Sequence, residues 1–206
     1  MPTTVIEHPL VAARLATLRE VDTDRAVFRR VMHELSLCVV YEACRSLPTA
    51  PIEVQTPLAK ADGVVLADQP LLVPVLRAGL GMLAAAQQLL PDAQVGFVGL
   101  RRDELTLLPD AYVTTVPERL EGRRVLVLDP MLATGGSLLH TARLVRECGA
   151  GPITVACVLA APEGIAAVAD AGFADADIYT AALDRRLNNV GFIVPGLGDA
   201  GDRQFG

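Results

Sequence analysis

Between Val125 and Ser137 the sequence runs Val-Leu-Val-Leu-Asp-Pro-Met-Leu-Ala-Thr-Gly-Gly-Ser: an apolar stretch, one acid, a proline, then paired glycines flanked by hydroxyls. Paired glycines let main-chain N–H groups approach a ligand closely, and a helix starting at Thr134 to Ser137 would add unpaired donors and a favourable dipole. Such a nest holds a phosphate. Asp129, at its entrance, cannot serve the phosphate, because like charges repel; it suits sugar hydroxyls or a metal-bound polyol. Phosphate, hydroxyls and one carboxylate together describe a ribose 5-phosphate. Gly-Gly also occurs in strand-to-helix turns that bind nothing. The P-loop is disfavoured because Gly-Lys-Ser/Thr is missing here, and the dinucleotide loop because G-x-G-x-x-G is missing.

Other stretches could serve the same ligand. Arg77-Ala-Gly-Leu-Gly81 follows the apolar run Leu71 to Leu76, and Arg101-Arg102-Asp-Glu follows Ala93 to Leu100. Each places a cation where a strand should end. Either arginine could equally be a solvated or salt-bridged surface charge. The tail from Asn188 to Gly206 clusters glycines with Phe192, Ile193, Val194 and Phe205, which fits a fixed loop whose main chain reads a small flat ligand better than a floppy terminus. His140, one turn into the helix after the glycines, suits packing or capping rather than catalysis.

These groups need a frame. Val125 to Leu128 suits a strand buried on both faces that stops at Asp129, since Pro130 cannot continue a ladder. The helix beyond runs to Glu147. Strands are expected at Leu71 to Leu76, Ala93 to Leu100, Pro152 to Leu159 and Asp177 to Leu183, with helices to about Leu90 and over Glu163 to Ala171. Strand-then-helix repetition gives a parallel sheet with right-handed crossovers, and ligands of such sheets sit at the carboxyl ends of the strands. Arg77, Arg102, Asp129 and the glycine turn all fall at that edge. Pro74 inside a strand predicts a bulge or an early exit. Residues 105 to 119 read as a long hairpin or flap.

Upstream, residues 3 to 6 are β-prone. Asp22 or Thr23 should cap a helix to about Leu47, with Phe28, Val31, Leu35 and Val39 in one stripe and Leu37, Val40, Tyr41 and Cys44 widening it. That breadth fits an internal core helix or a subunit contact. Residues 52 to 59 alternate like an edge strand.

The 206 residues fit one domain, with hydrophobic residues at 51% supplying a core. A net charge of −6 without a Lys/Arg run excludes a nucleic-acid partner of the electrostatic kind. The four cysteines form no Cys-x-x-Cys, as expected for free thiols of a reducing cytoplasm. No signal leader and no membrane-spanning run is read, so no membrane partner is expected.

Taken together, these stretches resemble the uracil phosphoribosyltransferases, within the type I phosphoribosyltransferase fold, over nearly the whole chain. Leu76 to Met82 is similar to that family's pyrophosphate loop, Asp129 to Ser137 to its ribose-phosphate signature, and Val194 to Arg203 to its uracil-binding tail. The Asp129-Pro130 pair is telling, because other type I enzymes usually carry two adjacent acids there. The resemblance implies a three-layer α/β fold with a parallel sheet, in one domain over 1–206: N-terminal helices and an edge strand (1–60), a core (61–183) and a base-binding hood (184–206).

It also implies the transfer of phosphoribosyl from 5-phosphoribosyl 1-pyrophosphate (PRPP) to N1 of uracil, giving UMP and pyrophosphate. Arg77, Ala78, Gly79 and Arg102 would face the pyrophosphate, with Mg2+ carried in by the substrate rather than by a protein metal site. Asp129, with Pro130, Met131, Leu132, Ala133, Thr134, Gly135, Gly136 and Ser137, would hold the ribose 5-phosphate. Asp199 would face the pyrophosphate–Mg2+ side, and main-chain groups of Ile193, Gly198 and Ala200 would read the base. The catalytic set is then Asp129, Arg77 and Arg102, with no side-chain general base. A homodimer or higher homo-oligomer, and GTP as an effector as in some relatives, are further implications. The flap departs from the family: Leu105 replaces a common glutamate, and no basic residue stands shortly before Pro117. The alternative is a non-catalytic, nucleotide-sensing regulator on the same fold, against which the acidic composition speaks.

Overall fold

Val125–Leu128 form a strand with no exposed face, as a place in the middle of a parallel sheet requires. The computed structural model in which it lies describes residues 2–102 and 109–206, and the side chains of all of these except 101, 102, 109 and 110. In chain order the elements are β1 (Thr3–Val5), α1 (Pro9–Arg19), α2 (Arg25–Ala43), β2 (Thr49–Gln55), β3 (Lys60–Leu66), β4 (Leu71–Leu76), α3 (Leu80–Leu89), β5 (Val98–Arg102) and β6 (Pro109–Thr114). They continue as β7 (Val125–Leu128), β8 (Met131–Leu132), α4 (Gly136–Glu147), β9 (Ile153–Ala160), α5 (Pro162–Val168), β10 (Asp177–Leu183), β11 (Arg186–Leu187), β12 (Ile193–Val194) and α6 (Ala200–Phe205). A π-type turn, Ala169–Phe173, follows α5.

The main sheet runs β1-β10-β9-β7-β4-β5-β6, parallel throughout except for β6 at one edge, with β8 added beside the end of β9. Strand side chains alternate between faces, and the core divides accordingly. Leu72, Leu126 and Leu128 pack with α1, α2 and α3 on one side. Val73, Val125 and Val127 pack with Leu138, Ala142 and Val145 of α4 and Val168 of α5 on the other. The result is the mostly parallel α/β sheet anticipated from the strand-helix repetition, in the three layers that the resemblance implied. Among the described residues no helix is long and apolar enough to cross a membrane.

Several expectations are corrected. The cap of α2 is Asp24, whose Oδ1 accepts from Val27 N at 2.9 Å; the Thr23 hydroxyl is already committed to Thr17 O at 2.6 Å. The helix stops at Ala43, and its stripe is buried between the sheet and α1, α3 and α6, so α2 is a core helix. Pro74 causes neither bulge nor exit. It keeps register with Leu128 on the β7 side, and its missing donor falls on the β5 side, where pairing lapses between the Leu72–Val95 bridge and the Val75–Val98 pair.

Residues 52 to 59 are not an edge strand of the main sheet. β2 and β3 form a separate two-stranded hairpin, closed where Thr56 Oγ1 accepts from Leu58 N and Ala59 N. The flap is a hairpin at its base, β5 against β6, while residues 103–108 lie outside the described residues. The tail is more ordered than a loop: β11 pairs with β12, and the last residues form α6.

Candidate active site

The carboxyl ends of β4 and β7 open onto a cleft of about 430 Å³ whose opposite wall is the tail. Met131 to Leu138 form one side, and Val190 to Ile193 with Gly198 to Gly201 the other; Asp129 and Ala78 complete the lining. Main chain from two places distant in sequence therefore meets across one hollow.

The phosphate turn is shaped by close packing. Gly135 caps α4 at φ +82°, in the left-handed region that favours glycine, and its carbonyl accepts the first helical bond from Leu139 N at 2.8 Å. The N–H groups of Gly136, Ser137 and Leu138 belong to the first turn of a twelve-residue helix, where no intrahelical partner exists. All three residues line the cleft. Beneath the turn, Gly164 of α5 lies so near that a Cβ there would sit 2.3 Å from Ala133 O.

Asp129 ends the buried strand. Its N–H donates to Ala156 O at 3.2 Å, and its Oδ1 accepts from Met131 N at 3.3 Å. Apolar surroundings push its carboxyl up to about 7, the Met131 N–H opposing this only in part. Among the described residues no ion pair reaches it. Pro130 is buried and points its carbonyl into the sheet, accepting from Val158 N and Leu159 N at 3.0 Å; it does not line the cleft.

The turn after β4 begins with a cis peptide between Leu76 and Arg77. Gly79 is buried against the end of β7, where a Cβ would meet Leu128 O at 2.4 Å, and only Ala78 of this turn reaches the lining. The Arg77 side chain is 60% exposed and stands 3.7 Å from Asp202 of α6, a loose surface pair worth ~0–1 kcal/mol. Arg102 is the last residue of β5, and its side chain lies outside the described residues.

On the hood wall, Ile193 and Ala200 are buried, whereas Gly198 and Asp199 are exposed at the cleft. The Val194–Pro195 peptide is cis, and Gly196 and Gly198 have φ of +64° and +82°. One oxygen of Asp199 caps α6 by accepting from Asp202 N at 2.8 Å. Gln204, fully buried, donates its amide to Ala78 O at 3.2 Å and Ala200 O at 2.8 Å, tying the turn after β4 to the hood.

Sequence reasoning missed Leu138, Val190, Gly191, Phe192 and Gly201 as lining residues. Val190-Gly191-Phe192, an apolar-glycine-aromatic run beside the tail motif, was the available signal. The supporting roles of Gln204 and Gly164 left none, because their partners are remote in sequence.

The only carboxylates lining the cleft among the described residues are Asp129 and Asp199, and no cluster of three or more metal-ligating side chains occurs among them. That set fits Mg2+, which takes one or two carboxylates together with substrate phosphates, rather than a metal caged by protein.

A family model described as uracil phosphoribosyltransferase matches residues 5–206. A uracil phosphoribosyltransferase from Nocardioides sp. is 51% identical over 210 aligned positions, covering 100% of this chain and 99% of that one. Among solved structures, the AQ2163 protein from Aquifex aeolicus superposes with a TM-score of 0.92 at 37% identity, covering 98% of this chain and 97% of its own. The adenine phosphoribosyltransferase from Trypanosoma brucei shares the fold, with a TM-score of 0.55 at 15% identity over 88% of this chain and 82% of its own.

Proposed function

The chain belongs to the uracil phosphoribosyltransferase family, and from that membership we propose that it transfers phosphoribosyl from PRPP to N1 of uracil, giving UMP and pyrophosphate in pyrimidine salvage. The observation that carries this reading is the meeting of the Met131 to Leu138 turn and the Ile193 to Gly201 hood across one cleft that also holds Asp129.

Loss of pyrophosphate leaves positive charge on the ribose ring, so the barrier falls when the leaving charge is neutralised and C1 is held facing N1. The donors at the start of α4 anchor the 5-phosphate. Asp129, half-buried at the end of β7 and lining the cleft, would hold the ribose hydroxyls, its carboxylate accepting from them. Arg77, released from its loose contact with Asp202, and Arg102 face the pyrophosphate with the main chain of Ala78, whereas the Gly79 N–H is given to Val75 O at 2.8 Å and Gly79 serves by letting the turn pack on β7. Mg2+ bound to the pyrophosphate would add charge neutralisation, and Asp199, which lines the cleft and uses Oδ1 to cap α6, would be the residue facing it.

The Ile193 carbonyl would accept the uracil N3–H, and the amides of Gly198 and Ala200 would donate to its ring oxygens. Cytosine would set an amino group against a donor, at a cost of ~1–3 kcal/mol for the unpaired groups. Chemistry needs no side-chain base. The experiment is incubation with Mg2+, PRPP and each nucleobase in turn, following nucleotide formation. Uracil should give UMP; product from another base, with none from uracil, overturns the assignment.

The enzyme acts as a homodimer or higher homo-oligomer in this proposal, supported by the apolar β2–β3 hairpin. Its phosphorylated substrate is retained in the cytoplasm, and the enzyme with it. GTP as an effector rests on relatives alone, and kinetics with and without GTP decide it.

A further inference from the structure

Asp184 follows β10 directly and is nearly enclosed, its side chain 6% exposed. Arg19, the last residue of α1, meets it in a two-pronged ion pair, with Nη2 to Oδ1 at 2.6 Å and Nη1 to Oδ2 at 2.8 Å. The same pair occupies both main-chain groups of Gly196. The Gly196 N–H donates to Asp184 Oδ2 at 2.8 Å, and the Gly196 carbonyl accepts from Arg19 Nη1 at 2.8 Å. Gly196 has no room for a side chain, since a Cβ there would lie 2.1 Å from Ile193 O, and its φ of +64° is one that glycine adopts without strain.

A second arginine crosses in the opposite direction. Arg203 of α6 donates to Leu197 O at 2.9 Å, to Glu20 O at 2.7 Å and to Leu18 O, and lies 4.4 Å over the Phe28 ring. Leu18 and Glu20 carry carbonyls at the end of α1, which the helix cannot pair itself. The end of α1 is thus the surface on which the hood is set.

We infer that the Arg19–Asp184 pair is a positioning device for base recognition. It fixes Gly196, which stands between Ile193 and the Gly198 to Ala200 segment, and so fixes where the carbonyl and amides that read uracil lie. The inference rests on the assignment of uracil to the hood made above. Neither Arg19 nor Asp184 lines the cleft, so neither touches the base. A buried ion pair adds little net stability, because desolvation offsets its attraction. What the bidentate geometry supplies is orientation, and it hands that orientation to a single residue through two hydrogen bonds. Small displacements of groups that hold a reactant are costly, so the effect should fall on the base and not on PRPP.

The test is steady-state kinetics of the full chain with uracil and PRPP, on Asp184→Asn, Arg19→Lys and the double variant, each also melted thermally. The expected result is a rise of about tenfold in the KM for uracil with the KM for PRPP within about twofold. The double variant should be no worse than the worse single one, because both changes remove one interaction. Discrimination of uracil over cytosine should narrow in parallel. If Asp184→Asn does not fold, Arg19→Lys, which keeps the charge beside Asp184, carries the same comparison. Equal changes in both KM values, or a lowered melting temperature with the KM for uracil unchanged, overturn the inference alone. A wild-type chain that forms no UMP overturns the substrate assignment and takes the inference with it.

Discussion

The Asp129 carboxyl closes a strand buried along its whole length, and its environment holds it at about 7 against an ordinary 3.8. A carboxyl raised on folding is bound to its proton more tightly in the folded chain. Between about 4 and 7 the folded state therefore carries more protons than the unfolded one, and stability falls as pH rises through that window. Above it the penalty stays constant, at most ~4 kcal/mol. Asp129→Asn should remove it: urea denaturation should show the variant gaining on the parent from pH 4 to 7, then keeping a lead of ~1–4 kcal/mol. The same variant should lose at least about a hundredfold in kcat/KM, a loss of ~2.7 kcal/mol in the transition state. A variant no more stable than its parent at pH 8 would show that Asp129 is well solvated.

At this scale the sequence was informative where chemistry is local. Asp129, Ala133 to Ser137 and Asp199 line the cleft as their motifs suggested, because an acid or a glycine pair is legible from its neighbours. Arg19, Asp184 and Gln204 were passed over. Their meaning lies in partners 165 and 126 residues away, and nothing beside them in the chain announces it.

Among the elements, the turns after β4 and β7 both depend on glycine, for different reasons. Gly79 is pinned against backbone, with Leu128 O at 2.4 Å and Val75 N and O at 2.7 Å from a would-be Cβ. Gly79→Ala should cost ~1–3 kcal/mol of stability, as overpacking does, and raise the KM for PRPP. Gly136 meets only Thr134 Oγ1, at 3.7 Å. Gly136→Ala should melt at or slightly above the parent temperature, yet weaken PRPP binding severalfold, because its methyl enters the phosphate site. Thermal melts paired with kinetics separate the cases; a Gly136→Ala enzyme with unaltered KM for PRPP would remove that turn from the phosphate site.

Strand and helix periods recovered β4, β7, β9, β10 and α4 almost to the residue, since long buried runs and a following glycine cap are local signals. The β2–β3 hairpin was misassigned because alternation in 52 to 59 looks the same whether a strand joins the sheet or stands apart. The helix α6 was missed because glycine at Gly201 and Gly206 reads as loop; Arg203 and the Asp199 cap hold it instead.

Among the described residues, β2 and β3 pair with each other alone and join no other strand. Ile52, Val54 and Val65 share one face of the hairpin, Val64 and Leu66 the other, and Leu58 at its tip is 96% exposed. Two strands alone are marginal in water, so the homo-oligomer proposed above predicts that this hairpin is buried against a second copy. Light scattering should give more than one chain per particle, and Leu58→Glu with Val64→Glu should lower that mass without loss of helix. A parent that is monomeric at micromolar concentration would refute this. The meeting of the middle turn with the tail was expected from the glycines of the tail and from the family resemblance; the gathering of strand ends at one edge of a parallel sheet accounted only for Arg77, Arg102, Asp129 and the glycine turn. How the tail is held there was not foreseen, since it depends on α1, which carries no motif.

In the proposed reading the hood offers peptide groups rather than side chains to uracil, so no replacement at Ile193, Gly198 or Ala200 short of proline, which removes an N–H, deletes the atoms that would do the reading. A designer seeking to make this scaffold accept a different heterocycle would find little to exchange at the contact itself. The available handles are the remote arginine and aspartate that set the curve of the peptide, or the number of residues between Pro195 and Asp199.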